Sequence, residues 1–393
     1  MKKLSILSFC VMFLIGTDTF LVAPLLPTLS KTLGFPLEQG GWLVSAYAIG
    51  YCCAAPVAGP ISDHFNRRTV LIVGMIAFSA ATLACGFATS FISLLILRVV
   101  TGVCAASGSP QIWAVIPQLA PSEKISSVMA APTAGLTIST LLGVPLGSFL
   151  STTNTSAPFL VVGGLSLLVS LALLLAFPSV PRVQQAAQST GEQNANSGIR
   201  SIFRPYALIF ATTKARLYFL AYLIFQTGNF AIMTFISTWF STSLGLTQAQ
   251  IGVAVMVIGV GNTLGAVGGS AILRRVRHGR LLGIGFLIYL IGYAILPFST
   301  SIVMACSVLF ATYFVSGMTF PIFIERLQSL TTTQRGTISA FTNVTMYAGS
   351  TIAGIVGGPL LVALPGFWGI AILAFVMMAV SLLLWRGSGA LVD

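Results

Sequence analysis

The sequence predicts an all-α membrane protein with twelve transmembrane helices in two pseudo-symmetric six-helix bundles. Three observations carry this: a composition too poor in polar residues to build an aqueous surface, twelve apolar runs of bilayer-crossing length, and an internal repeat that lays the second half on the first. The chain is 56% hydrophobic and 7% charged, against about 25% charged in soluble domains. A core can absorb apolar side chains but a surface cannot be made from them, so the solvent must be a bilayer.

A bilayer core of about 30 Å takes about 20 helical residues. On that ruler the spans fall at 5–27, 39–60, 69–88, 91–114, 126–150, 157–178, 216–240, 249–272, 281–298, 301–323, 338–362 and 366–386. Strands of a membrane barrel alternate over about ten residues; these runs are apolar all round and roughly twice as long. The first run, "MKKLSILSFCVMFLIG", mimics a secretory leader. It lacks a small-x-small cleavage site, and Asp18 interrupts where cleavage would fall, so it reads as a retained first helix. Residues 179–215, Gln/Asn/Ser-rich at "QQAAQSTGEQNANSG", read as a cytoplasmic linker. They separate bundle 1–178 from bundle 216–393.

The formal charge is +12. The cations recur as short clusters between apolar runs, the pattern of membrane topology rather than of a nucleic-acid patch. With the N-terminus inside, seventeen Lys and Arg fall on cytoplasmic segments, Lys31 alone lies outside, and Arg98 sits within a span. Such a bias points to a multi-pass protein of the inner (plasma) membrane with both termini cytoplasmic. The six cysteines all lie in apolar runs and show no metal or disulfide spacing. There is no Walker loop, and the two histidines, His64 and His278, lie in loops. No cofactor, metal or enzymatic activity is therefore expected. A monomer is expected, with the lipid bilayer, protons and a small-molecule substrate as its partners.

The halves match by a shift of 211 residues. Leu33-Gly34 meets Leu244-Gly245, Gln39 meets Gln250, Gly41 meets Gly252, Gly50 meets Gly261, and Asp18 meets Asn229. With an offset of 214, Gly135, Gly143 and Pro145 meet Gly349, Gly357 and Pro359. Two similar halves imply a pseudo-twofold axis along the membrane normal and a site between them near the midplane.

The loop after the second span reads "GPISDHFNRRTVL". Topology accounts for Arg67 and Arg68 but not for Asp63, since acids contribute little to orientation. The loop resembles that of the major facilitator superfamily, whose motif is G-x-x-x-D-R/K-x-G-R/K-R/K. Gly59, Asp63, Arg67 and Arg68 match it. His64 stands where Arg or Lys is usual and Asn66 where Gly is usual, a place where Asn tolerates positive φ. In that family the Asp meets the cytoplasmic end of helix 11, a positive dipole pole, and latches the halves together. The resemblance thus implies a conformational latch; bare topology would need only the two cations. The second half has "RRVRHGR" at the corresponding place and no acid.

The fifth span, "AGLTISTLLGVPLG", carries Gly135, Gly143, Pro145 and Gly147. It resembles the Gly-rich helix 5 of that superfamily's antiporters, departing by one residue in a way associated with sugar- and purine-efflux exporters. Close packing through small residues and a proline bend account for the same pattern without export. The fourth span resembles the family's R-x-x-x-G pattern through Arg98 and Gly102.

Asp18 and Arg98 are ionisable groups within spans and so candidate functional residues. A carboxylate in a cavity of low dielectric can bind and release protons at physiological pH. Arg stays charged and can stabilise that carboxylate or hold an anionic group. Asp18 reads as a proton or cation carrier, a substrate contact or a structural polar group. Arg98 reads as a coupling residue or a cation snorkelled toward the outer end. Gln111, Trp113, Gln226, Asn229, Asn262, Asn343 and Tyr347 are candidate substrate-cavity residues, with Trp42 and Tyr47 as aromatic walls. Glu325-Arg326 reads as a local ion pair or a gate. The chain looks most like the twelve-helix drug:proton antiporters, which implies proton-coupled export of small, lipophilic molecules. The alternatives are an exporter or uniporter of a polar metabolite, a lipid flippase, or a non-transporting membrane sensor.

The cation bias makes a test of orientation. Thr190→Cys is expected to resist a membrane-impermeant thiol reagent in intact cells and to react in everted vesicles. Labelling from outside would contradict the orientation.

Overall fold

The structure, a computed structural model, describes residues 1–64, 66–178, 209–273, 276–331 and 335–391. The side chains of 59–64, among them Asp63, lie outside the described set, as does most of the expected linker. Among the described residues, twelve helices are long and apolar enough to cross a membrane. In order they are α1 (Lys2–Leu33), α2 (Gly41–His64), α3 (Arg67–Gly86), α4 (Phe91–Leu119), α5, α6 (Ala157–Ala176), α7 (Thr213–Thr242), α8 (Gln248–Leu273), α9 (His278–Ile295), α10 (Ile302–Gln328), α11 (Arg335–Ala363) and α12 (Trp368–Gly387). α5 runs over Ile125–Ile138, passes through a π turn at Ser139–Gly143 and resumes over Val144–Leu150.

The repeat seen in the sequence is visible in the backbone. Gly34 ends α1 in the left-handed conformation at φ 67°, and Gly245 adopts φ 65° beyond α7. These are positions where a Cβ would be strained. Ser90 caps α4 by accepting from the Ser93 amide, and Ser301 caps α10 by accepting from the Met304 amide. Such caps satisfy amides that the first helical turn leaves open. α2 meets α4 where Gly50 lies against the Val99 carbonyl, and α8 meets α10 where Gly261 lies against the Phe310 carbonyl. Both members of each pair differ by 211. Apolar burial cannot drive helices together in lipid, so backbone contact through glycine does.

Four local findings differ from the sequence reading. Asn66 has φ −65° and ψ 118°, not a positive φ; it is the N-cap of α3, and its side chain accepts from the Arg68 amide at 2.9 Å. α1 continues to Leu33 with Pro24 and Pro27 inside it, and α4 continues to Leu119 past Pro117. α7 begins at Thr213, where the Thr212 side chain accepts from the Ala215 amide. The fifth span contains the π turn, in which the Val144 amide donates to the Ser139 carbonyl five residues back. Pro145 explains the last: its nitrogen cannot donate to the Leu141 carbonyl and its ring crowds that carbonyl, and a widened turn just ahead gives the room.

α1 packs on α5, and the main seams joining the first six helices to the last six are α2 on α11, α5 on α8 and α1 on α7, where Phe20 stacks on Phe230. α6 exposes Leu165, Leu168, Leu171 and Leu175, an outer face that lipid covers. The second six helices share one aromatic-rich core around Tyr222, Phe225, Phe286 and Phe323. Phe210, just beyond the expected linker's uncharted part, docks on that body through Phe219 and Phe341.

Gly50→Ala and Gly261→Ala are expected to lower the thermal stability of the purified protein, by roughly 1–3 kcal/mol for a forced overpacking. Gly164→Ala, which meets open space, should leave it unchanged. Equal melting temperatures for all three would contradict the close crossings.

Candidate functional site

α1 and α4 bring their two charges together. Arg98 Nη1 donates to Asp18 Oδ2 at 2.8 Å, and Nη2 donates to the Asp18 backbone carbonyl at 3.2 Å. Both side chains have no solvent exposure. Arg98 is thus not snorkelled to the membrane surface. Isolated, either charge would be costly in this medium; paired, each offsets much of the other's desolvation.

The pair is incompletely satisfied. Asp18 Oδ1 and Arg98 Nε make no close hydrogen bond, and the buried Thr82 hydroxyl on α3 faces the carboxylate. Arg98 thus engages Oδ2 and leaves Oδ1 without a bond to it. The Tyr47 ring of α2 covers the guanidinium, whose carbon lies 4.6 Å from the ring centroid. A cation over an aromatic face gains roughly 2 kcal/mol when desolvated. Thr19, next to Asp18, donates to the Tyr47 hydroxyl at 2.9 Å. Cys85 and Thr101 close the remaining side, their Sγ and Oγ1 3.7 Å apart.

Small residues let these helices come close enough. Gly102, one turn beyond Arg98, lies against the Tyr47 carbonyl. Gly16 faces Ser139 and Gly143 faces Thr17, so the π turn of α5 packs directly beside Asp18. The other side of that turn touches the second half: Gly259 of α8 sits on the backbone of Thr140 and Leu141.

The α2–α11 seam passes the same site. Gly41 and Glu38 meet Gly354 and Gly358 at one end. Ser45 donates to the Thr351 carbonyl at 2.9 Å, and Cys52 to the Val344 carbonyl at 3.7 Å. Between them Tyr347 stacks on Tyr51 with ring centroids 3.9 Å apart and lies 6.1 Å from Tyr47. Tyr51 is fixed in turn by a 2.9 Å hydrogen bond with Ser109. α1 also reaches α8 directly: Gln248 Nε2 donates to the Pro24 carbonyl at 2.8 Å, and Thr28 donates to Gln248 Oε1 at 3.1 Å.

Of the candidate cavity residues, Tyr347 reaches the pair's surroundings through Tyr47. Gln226 and Asn229 lie on α7; Gln226 donates to the Tyr222 hydroxyl at 2.7 Å, and the Asn229 carbonyl accepts from Tyr313 at 3.3 Å. Asn229 Oδ1 and Gln111 Oε1 are buried without partners. Trp113, Asn262 and Asn343 are half-buried and make no described contact with the pair. Trp42 lies exposed at the start of α2, away from it. Glu325 takes up His278 of α9, 3.0 Å away, as a local contact. Arg68 Nη2 donates to the Leu174 carbonyl at 2.7 Å, tying α3 to α6. In helix 5, Gly135 lies against the Phe9 carbonyl and Gly147 against Leu21, so all the small residues singled out there serve the α1–α5 contact. Sequence reasoning missed Thr19, Tyr51, Thr82 and Cys85. None is charged, and only the crossing of four helices assembles them.

Comparison with known proteins agrees with this architecture. The family model described as "Major Facilitator Superfamily" matches residues 8–354. The "Uncharacterized MFS-type transporter YceJ" of Bacillus subtilis is 38% identical over 380 residues, 97% of this chain and 95% of that one. The "Chloramphenicol resistance protein" of Streptomyces lividans is 27% identical over 71% of this chain and 68% of its own. The "4-hydroxybenzoate transporter PcaK" of Pseudomonas putida is 27% identical over 73% and 69%. Among solved structures, a D-xylose-proton symporter superposes with a TM-score of 0.80 at 16% identity, covering 98% of this chain and 97% of that one, a likeness of fold. The chain, a membrane transporter and not an enzyme, belongs to the Major Facilitator Superfamily.

Proposed function

We propose that this transporter is a proton-coupled antiporter that exports small, lipophilic molecules by alternating access. The observation that carries the reading is the buried, half-satisfied Asp18–Arg98 pair. An ion pair sealed in hydrocarbon is weak support for stability, because its desolvation offsets much of its attraction. It suits a group that changes charge during a cycle.

In the cycle, Asp18 takes a proton at Oδ1 from the outside and becomes neutral. Arg98 then loses its counter-charge and is held by the Tyr47 face and the Asp18 carbonyl. Release of the proton inside restores the pair. Substrate leaves in the step that proton entry drives, so the two fluxes are opposed. A ligand or proton shifts such an equilibrium only by its different affinity for the two states, and the ion pair supplies that difference. The latch at Gly59, Asp63, Arg67 and Arg68 holds the cytoplasmic ends together in one state, its acid acting on the positive pole of a helix N-terminus. Both termini and the 179–215 linker are cytoplasmic. Gln111, Gln226, Asn229, Asn262 and Asn343 form the polar part of the cavity wall. The chloramphenicol resistance relative favours lipophilic cargo, and PcaK, named for an aromatic acid, marks the nearest alternative.

Two substitutions test the reading in proteoliposomes, with ethidium, chloramphenicol and 4-hydroxybenzoate as probes. Asp18→Asn keeps size and hydrogen bonding but removes the titrating group. It is expected to abolish accumulation driven by a pH gradient while downhill exchange continues. Uphill transport at the wild-type rate would refute the assignment. Asp63→Asn is expected to slow turnover several-fold with probe affinity little changed, because switching and not binding is impaired. Normal turnover would leave that loop a topology anchor only.

A further inference from the structure

A proton on Asp18 does work only if the second half of the molecule senses it. The pair lies wholly within the first six helices, enclosed by α1, α2, α3 and α4. The α2–α11 seam passes the pair's aromatic cover, and a ring of α11 lies against it: Tyr347, 7% exposed, in contact with both Tyr47 and Tyr51. We infer that Tyr347 is a positioning residue that transmits the charge state of the Asp18–Arg98 pair to α11 through Tyr47.

The chain of contact is short and each link is physical. Oδ2 of Asp18 holds Nη1 of Arg98 at 2.8 Å, and the guanidinium carbon stands 4.6 Å from the Tyr47 centroid. The Tyr47 hydroxyl is bonded to Thr19, the neighbour of Asp18, so the ring is held at both its face and its tip. Neutralising Asp18 removes the pull on Arg98 from the α1 side and leaves the ring as its main counter-group. A desolvated cation–π contact is sensitive to sub-ångström displacement, and a packed core answers such a shift by switching rather than by stretching. Tyr47 meets Tyr347 at 55° between ring planes, while Tyr51 stacks on Tyr347 at 29°. Tyr347 is thus gripped by two rings of α2, only one of which touches the pair. A shift of Tyr47 unbalances that grip and tilts the seam that Ser45–Thr351 and Cys52–Val344 otherwise hold closed.

Among the described residues, few titratable groups lie near the pair. α2 presents Tyr47 and α3 Cys85 to the pair, while Tyr51 of α2 and Tyr347 of α11 lie one layer further out against Tyr47. α5, α6 and α8 carry no charged residue within Ile125–Leu150, Ala157–Ala176 and Gln248–Leu273 save Lys124 just before the first, and the charges of α7, Lys214 and Arg216, lie in its first turn. The inference rests on the proposal that Asp18 titrates, and its test separates the two.

The test is hydrogen–deuterium exchange of the full-length protein in lipid nanodiscs at mildly acidic and mildly alkaline pH, corrected for intrinsic exchange, with no substrate needed. In the wild type, peptides of α2 and α11 are expected to change protection several-fold between the two conditions, and Asp18→Asn is expected to abolish the change. Tyr347→Leu, or Tyr347→Met should the first fail to fold, is expected to keep the response in α1, α2 and α4 and to lose it in α11. Tyr347→Phe retains the ring and is expected to respond like wild type. If α11 responds normally in Tyr347→Leu or Tyr347→Met, transmission through Tyr347 is wrong while titration of Asp18 stands. If the wild type shows no pH response, or Asp18→Asn keeps it, titration of Asp18 fails and the transmission fails with it.

Discussion

The constraint on which the rest depends is the cost of holding charge in hydrocarbon. Moving a carboxylate and a guanidinium out of water costs several kcal/mol each even after relaxation, and no external water reaches Asp18 or Arg98. The pair therefore has to be made within the protein, and four helices must converge to make it. α1 supplies the acid and its carbonyl, α4 the base, α2 an aromatic lid, and α3 the hydroxyl and thiol that close the far side. The helices around the pair approach closely: Gly102 lies against the Tyr47 backbone carbonyl, and Gly16 and Gly143 leave room for the Ser139 and Thr17 side chains.

The same device builds two of the seams between the halves. Glycines at 41, 354 and 358 let α2 and α11 touch backbone to backbone, and Gly252 and Gly259 do so for α8 on α5. Contacts of that kind are good at being made and unmade. Among the described residues few hydrogen bonds cross the α2–α11 seam: Ser45 donates to the Thr351 carbonyl and Cys52 to the Val344 carbonyl. A transporter of the Major Facilitator Superfamily needs such an interface, firm in each state and inexpensive to exchange. The π turn of α5 stands where the seam and the pair adjoin, since Ser139 and Gly143 face α1 while Thr140 and Leu141 face α8. Turns of this type often occur at functional sites because they redirect a few residues within an otherwise regular helix.

Much of this was legible in the sequence, for reasons that can be stated. Hydropathy placed the twelve spans because lipid leaves a helix no choice but to be apolar over its length. The 211-residue shift was readable because glycines and caps mark backbone geometry: Gly34 with Gly245 and Ser90 with Ser301 do the same local task in both halves. Asp18 and Arg98 stood out because charge in a span is rare, although eighty positions apart they carried no signal that they face one another. What was not legible depended on crossing geometry. Thr19, Thr82 and Cys85 are ordinary residues of apolar helices until four axes converge. Asn66 was read as a turn residue and is an N-cap, since Asn serves both purposes. The π turn had only Pro145 as its sign, and a proline announces a disturbance without saying which kind.

The central claim is that Asp18 changes charge inside the membrane domain, and infrared difference spectroscopy of the reconstituted protein during a pH step reads that event without a substrate. The protonated carboxyl has a carbonyl stretch well separated from the amide bands. The account predicts a band that grows on acidification in the wild type and is missing from the spectrum of Asp18→Asn, shifted to a frequency typical of a carboxyl outside water. An identical set of carboxyl bands in the two proteins would mean that Asp18 keeps one charge throughout, and that the ion pair is a fixed strut rather than the coupling element.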